Sequence, residues 1–154
     1  MRLRFALLVV LTAGCTATNT VETPAPIASA SVEVVAEGGI AALSVRDRVD
    51  RDTRGFVHVM RHVCAANCGA PIDSASGVAA PAVVDSLFNG VLAQKFLFQD
   101  DYGLTQNAAD MMVYTVRITS NGTTKTVRAD DGTMPGALHQ IVDAVRATAA
   151  TARK

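Results

Sequence analysis

Two histidines and two cysteines crowd one short stretch of this chain: His58, His62, Cys64 and Cys68. On an extended chain side chains alternate with a period of two, which puts His58, Met60, His62 and Cys64 on one face. Imidazole and sulfur donors gathered in this way could hold copper or zinc, or do redox chemistry. The spacing opposes a shared ion. Four strand residues set His58 and His62 about 13 Å apart at ~3.3 Å per residue, whereas a helix would place them one turn apart. Cys-x3-Cys without a following His is not a haem-attachment sequence. The other use of the two cysteines is a disulfide, Cys64 to Cys68, across Ala65-Ala66-Asn67. The chain-entropy model gives so short a closed loop about 2 kcal/mol. The disulfide is the expectation; a metal-handling or redox role for His58, His62, Cys64 and Cys68 is the alternative. No cofactor is expected.

The third cysteine has a different context. Arg2 and Arg4 precede an apolar run over residues 5–12, and Ala13-Gly14 precede Cys15. This is the layout of a secretory signal peptide, and its end resembles a bacterial lipobox, with Thr12 where Leu is commonest. The run is shorter than the roughly 20 apolar residues a membrane-spanning helix needs. The expectation is cleavage after residue 14 and acylation of Cys15, palmitate being the usual fatty acid, with two or more chains giving stable membrane attachment. The chain would then sit in a bacterial envelope, lipid-anchored and facing the periplasm. Thr16 is not acidic, which points to the outer rather than the inner membrane. An oxidising compartment also suits the Cys64–Cys68 pair.

Other chemistries lack a constellation. No Gly-x-Ser-x-Gly elbow occurs, and nothing ties Ser74 or Ser76 to His58, His62 or His139. Asp100-Asp101 and Asp130-Asp131 lack the spaced oxygens of a calcium loop and read as turn residues. Arg46, Arg48, Arg51, Arg54 and Arg61 cluster, but Asp47, Asp50 and Asp52 interleave with them and largely cancel their charge. That stretch reads as a solvated strand face. Removing residues 1–14 takes two arginines from 14 basic residues, leaving 12 against 14 acids and a net charge of −2. No nucleic-acid partner is expected from that balance. The chain reads as a binding protein and not an enzyme.

The elements that would position these residues follow from periodicity. Residues 1–14 form the signal peptide, 15–30 a Thr-, Ala- and Pro-containing tether, and 31–154 a single domain. Alternation from Ser31 predicts a first strand, Gly38-Gly39 a turn, residues 40–49 a second strand, 50–55 a charged turn and 56–64 a third strand. Residues 67–77, rich in Gly, Pro, Ser and Asp, read as a loop. Pro81 opens a helix carrying Val84, Leu87, Phe88, Val91, Leu92 and Phe96 at helical spacing. Residues 112–119 alternate, Asn121-Gly122 signals a type I′ hairpin, and 123–129 return. Pro135 opens a last helix with Leu138, Ile141, Val142 and Val145 on one face. The order βββ-α-ββ-α implies an α+β domain: an antiparallel sheet of about five strands with helices on one face.

Across roughly residues 31–150 these landmarks form a familiar series. They are Gly38-Gly39-Ile40-Ala41-Ala42, Phe96, Tyr102-Gly103, Ala109-Asp110 before Tyr114-Thr115-Val116, Asn121-Gly122, Lys125-Thr126-Val127, and Pro135 with Leu138 and Ile141-Val142. The series resembles emfourin-like domains, small bacterial inhibitors of thermolysin-like metallopeptidases. It is also similar to a bacterial lipoprotein domain whose Cys-x-x-Cys-type segment echoes Cys64 to Cys68. The stretch over 54–76 is longer than in the emfourin-like pattern. The resemblance implies this α+β fold and a protein partner, a secreted metallopeptidase. It transfers no inhibitory residue. The turn Gly38, Gly39, Ile40 is the candidate contact, because its glycines would let backbone approach a protease cleft closely.

Overall fold

The computed structural model describes residues 29–63, 70–94, 98–106 and 110–151. Cys15, the residues read as a signal peptide and most of those read as a tether lie outside the described residues, as do Cys64, Cys68 and Phe96.

Six strands form one antiparallel sheet: β1 (Ala30–Gly38), β2 (Leu43–Asp50), β3 (Gly55–His62), β4 (Asp73–Val78), β5 (Met112–Ser120) and β6 (Thr123–Asp130). Their spatial order is β4-β3-β2-β1-β5-β6. Helix α1 (Pro81–Gln94) carries the chain from edge strand β4 back to β5, which pairs with β1, and α2 (Gly136–Thr151) follows β6. The α+β class and antiparallel sheet agree with the sequence reading. The strand count does not: residues 67–77, read as a loop, contain β4.

The reason lies in the neighbour. β3 offers an open ladder, and β4 takes it with Phe56 opposite Gly77 and His58 opposite Ala75. Small side chains make this possible. A Cβ on Gly77 would lie 2.7 Å from Phe56 Cε1, so the phenyl ring occupies the space a larger residue would fill. A second correction concerns β2, which begins at Leu43 and not at residue 40. Residues 39–42 form the turn, with Ala42 at φ 46° and its N–H donating to Gly39 O at 3.0 Å. The Asn121-Gly122 turn is as the sequence implies: both residues have positive φ, 50° and 77°, as a type I′ turn requires.

Alternation then decides which side is covered. Val32, Val34 and Ala36 of β1, Val49 of β2, Phe56 of β3, Val116 and Ile118 of β5 and Val127 of β6 share one face and are almost wholly buried. On that face lie Val84, Leu87, Phe88 and Val91 of α1. Leu138, Ile141, Val142 and Val145 of α2 join the same core. Burying a side chain of this size is worth about 1.5–3 kcal/mol, so the core rests on the period-two stripes meeting the period-3.6 stripes. Among the described residues, no element covers the opposite face of the sheet.

Candidate functional site

The β1–β2 turn projects from one end of the sheet. Gly38 and Gly39 have φ of 118° and 68°, a region in which residues with a Cβ are strained. A Cβ on Gly38 would also meet Met111 O at 2.7 Å. The backbone is braced on both flanks: Gly39 N–H donates to Met111 O at 3.3 Å, and Val63 N–H donates to Ala42 O at 2.6 Å. At the apex Ile40 is 88 % exposed, more than any other large apolar residue described.

Other apolar side chains gather at this end. Val63 follows β3 and Ile72 precedes β4, and both are about half exposed. Leu104 is exposed beside Thr105, whose N–H donates to Asp130 at the end of β6. The chain enters the sheet at the other end of β1. Nine residues at ~3.3 Å each place that entry about 30 Å from the turn.

The donor cluster of β3 is divided. His58 is buried on the core face, its Nδ1 2.6 Å from Asp47 Oδ1 on β2 and its Nε2 3.7 Å from Asp73 Oδ2 on β4. His62 is exposed at the strand's end, opposite Leu43. The two histidines share a face but not a site, and among the described residues no three His, Cys, Asp or Glu side chains are placed to hold a metal ion. The disulfide expected between Cys64 and Cys68 falls outside the described residues. The Asp47–His58 pair was not foreseen from sequence, although its signal is present: Asp47 alternates with Val45 and Val49, and His58 with Phe56, so both sit on apolar faces.

Ser74 and Ser76 are exposed on β4, on the face opposite His58. The acidic pairs serve turns. Asp101 accepts from Gly103 N–H at 2.7 Å, Asp131 from Met112 N–H at 3.0 Å, and Asp100 pairs with Lys125. Asp130, 1 % exposed, accepts from Gly132, Thr133 and Thr105, and the hydrogen bonds from Thr105, its N–H first, and from Thr133 outweigh burial and hold its carboxyl below the usual range. An apolar groove of about 500 Å³ runs between α1 and α2 past Leu87, Gly90, Ile141 and Ala144. None of its lining residues is ionisable, so it offers shape without acid–base chemistry.

The arginine cluster is sorted by the sheet. Arg46 and Arg48 lie on the open face, while Asp47 between them points into the core. Glu33 of β1 stands at the centre of that face, opposite Arg48 on β2 and Arg117 on β5. Its carboxylate accepts from Arg46 Nε at 2.8 Å and from Arg117 Nη1 at 2.7 Å. Burial opposes its ionisation, but the hydrogen bonds and charges of the two guanidinium groups outweigh that and lower its pKa. Arg48 pairs with Asp50 at 2.8 Å.

Comparison with protein-family models and with curated proteins finds no match for this chain.

Proposed function

We propose that this chain is a lipid-anchored, periplasm-facing envelope protein whose folded domain binds a partner through the β1–β2 turn, the partner being an exported thermolysin-like metallopeptidase that it inhibits. One observation carries the reading: Ile40, an aliphatic side chain 88 % exposed, stands at the tip of a turn braced by Met111 and Val63. An apolar anchor held in one conformation loses little freedom on entering a pocket, and such anchors dominate interface energies. The shape is convex, as a cleft-filling inhibitor needs, and Gly38 and Gly39 let backbone approach the cleft wall. Val63, Ile72 and Leu104 supply an apolar shoulder. Acylation at Cys15 would tether the domain by the end remote from Ile40, leaving the turn free to meet soluble proteins.

The test is a titration of a thermolysin-like peptidase with the chain from residue 16. Stoichiometric loss of activity is expected. Ile40→Asp should weaken inhibition by roughly 30-fold or more, the size of a 2 kcal/mol hot spot, with an unchanged melting temperature because the side chain is solvated. Full peptidase activity in micromolar excess of the chain removes the inhibitor reading. The anchor is tested separately: the full chain should fractionate with the outer membrane, and Cys15→Ala should release it.

A further inference from the structure

We infer that the open face of the sheet is an electrostatic docking surface for anionic phospholipid headgroups. Five arginines lie on it: Arg46 and Arg48 on β2, Arg61 on β3, Arg117 on β5 and Arg128 on β6. Against them stand three carboxylates, Glu33, Glu37 and Asp50; Asp130, at the margin, is turned into its own buried turn. Over the rest of the described chain, acids outnumber bases more than two to one, Asp100, Asp101, Asp131 and Asp143 among them. A processed chain of net charge −2 is therefore polarised, with its positive charge gathered on the uncovered side of the sheet.

The arrangement suits phosphate. Strands lie about 4.8 Å apart, so Arg48 and Arg117, on either side of β1, are about 10 Å apart. Arg46 and Arg128, with β1 and β5 between them, are about 14 Å apart at the same spacing. Arg46, Arg48 and Arg117 are each about half exposed although engaged with Glu33 or Asp50. A guanidinium has five N–H donors, so one carboxylate does not exhaust it, and the remainder match phosphate oxygens in pairs. Arg61 and Arg128 are exposed and stand outside these ion pairs. Between the arginines lie Val35, Val57, Thr115 and Thr126, and among the described residues no aromatic side chain stands on this face to anchor a protein partner.

The choice of a membrane as the anionic surface rests on the anchored reading above. Covalent geometry lets the chain from Cys15 to Ser29 reach at most about 50 Å. A weak surface contact so tethered is effectively intramolecular. The acidic remainder of the molecule would be repelled, which orients the domain with its helices outward and its β1–β2 turn at the side.

The test uses the chain from residue 16, which keeps the entire described core and carries no lipid. Vesicles of phosphatidylcholine alone and of phosphatidylcholine mixed with phosphatidylglycerol are compared by cosedimentation. Partitioning onto the mixed vesicles at low ionic strength is expected, with little onto phosphatidylcholine and loss in high salt. Arg61→Gln with Arg128→Gln should lower it about 25-fold, taking roughly fivefold per arginine at an anionic surface. Glu33→Gln should raise it, by about fivefold on the same basis. No partitioning onto the mixed vesicles, equal partitioning onto both, or indifference to the arginine pair overturns the proposal. Because the protein tested is unlipidated, that result leaves acylation of Cys15 standing; conversely, a full chain whose Cys15 carries no acyl group by mass spectrometry removes the anchor, while partitioning of the chain from residue 16 keeps the face.

Discussion

Asp47 and His58 meet across β2 and β3 in the shelter of the core, 2 % and 8 % exposed, with 2.6 Å between Oδ1 and Nδ1. A buried polar pair contributes little relative to apolar residues of the same shape, but breaking it is costly, because the survivor keeps its desolvation without its partner. His58→Ala should therefore destabilise the domain by about 3–5 kcal/mol, measured by urea unfolding. Asp47→Leu combined with His58→Leu should recover most of that loss. A small cost for His58→Ala would mean that water enters the vacated space and solvates the Asp47 carboxylate. Ile40 is the converse case, an aliphatic side chain left in water where the fold could have placed a polar one. One residue is buried against its chemistry and the other exposed against it. The first is satisfied by its neighbour on the next strand, whereas the second has no partner within the described chain, and that difference is why the turn and not the histidine carries the functional reading.

At the scale of elements, β4 shows how a neighbour overrides propensity. Asp-Ser-Ala-Ser-Gly-Val has the composition of a loop, yet β3 supplies hydrogen bonds along its whole length and Phe56 requires a bare backbone opposite it. Gly77→Ala should clash with the Phe56 ring, which cannot bend away as a flexible side chain would, and cost about 1–3 kcal/mol as overpacking does. Gly77→Ala in a Phe56→Leu background should cost less, because the ring edge is gone. A chain whose unfolding midpoint ignores Gly77→Ala would contradict the packing of β4. The hairpin at Asn121-Gly122 and the α2 stripe needed no such neighbour to be read: positive-φ residues between alternating runs, and apolar residues at helical spacing, define them locally.

Taken as a whole, the molecule holds Glu33 among guanidinium groups and Asp130 among hydrogen-bond donors, and its response to acid follows. Glu33 is held below its ordinary pKa of 4.5 and Asp130 below 3.8. A carboxyl whose folded pKa is depressed binds fewer protons folded than unfolded, so stability rises with pH through that range. These contributions are complete above the unfolded values and are lost as pH falls through about 4 toward the folded ones. The thermal midpoint should hold above about pH 5 and drop below pH 4. Glu33→Gln should flatten part of the drop by removing one depressed group. A midpoint that rises on acidification would contradict the ion pairs at the centre of the open face.

The sequence by itself determined the α+β class, the strands with alternating β-branched residues, the type I′ hairpin and the apolar stripes of both helices. Each of these is written in neighbouring residues, through a period or a required φ. Only the tertiary structure decided that residues 73–78 become a strand, that Asp47 pairs with His58, and that Asp47 parts company with the arginines on either side of it. In one dimension Arg46, Asp47 and Arg48 cancel. In the sheet the pleat sends Asp47 into the core and both arginines outward, and which face the helices cover depends on contacts far apart in the chain.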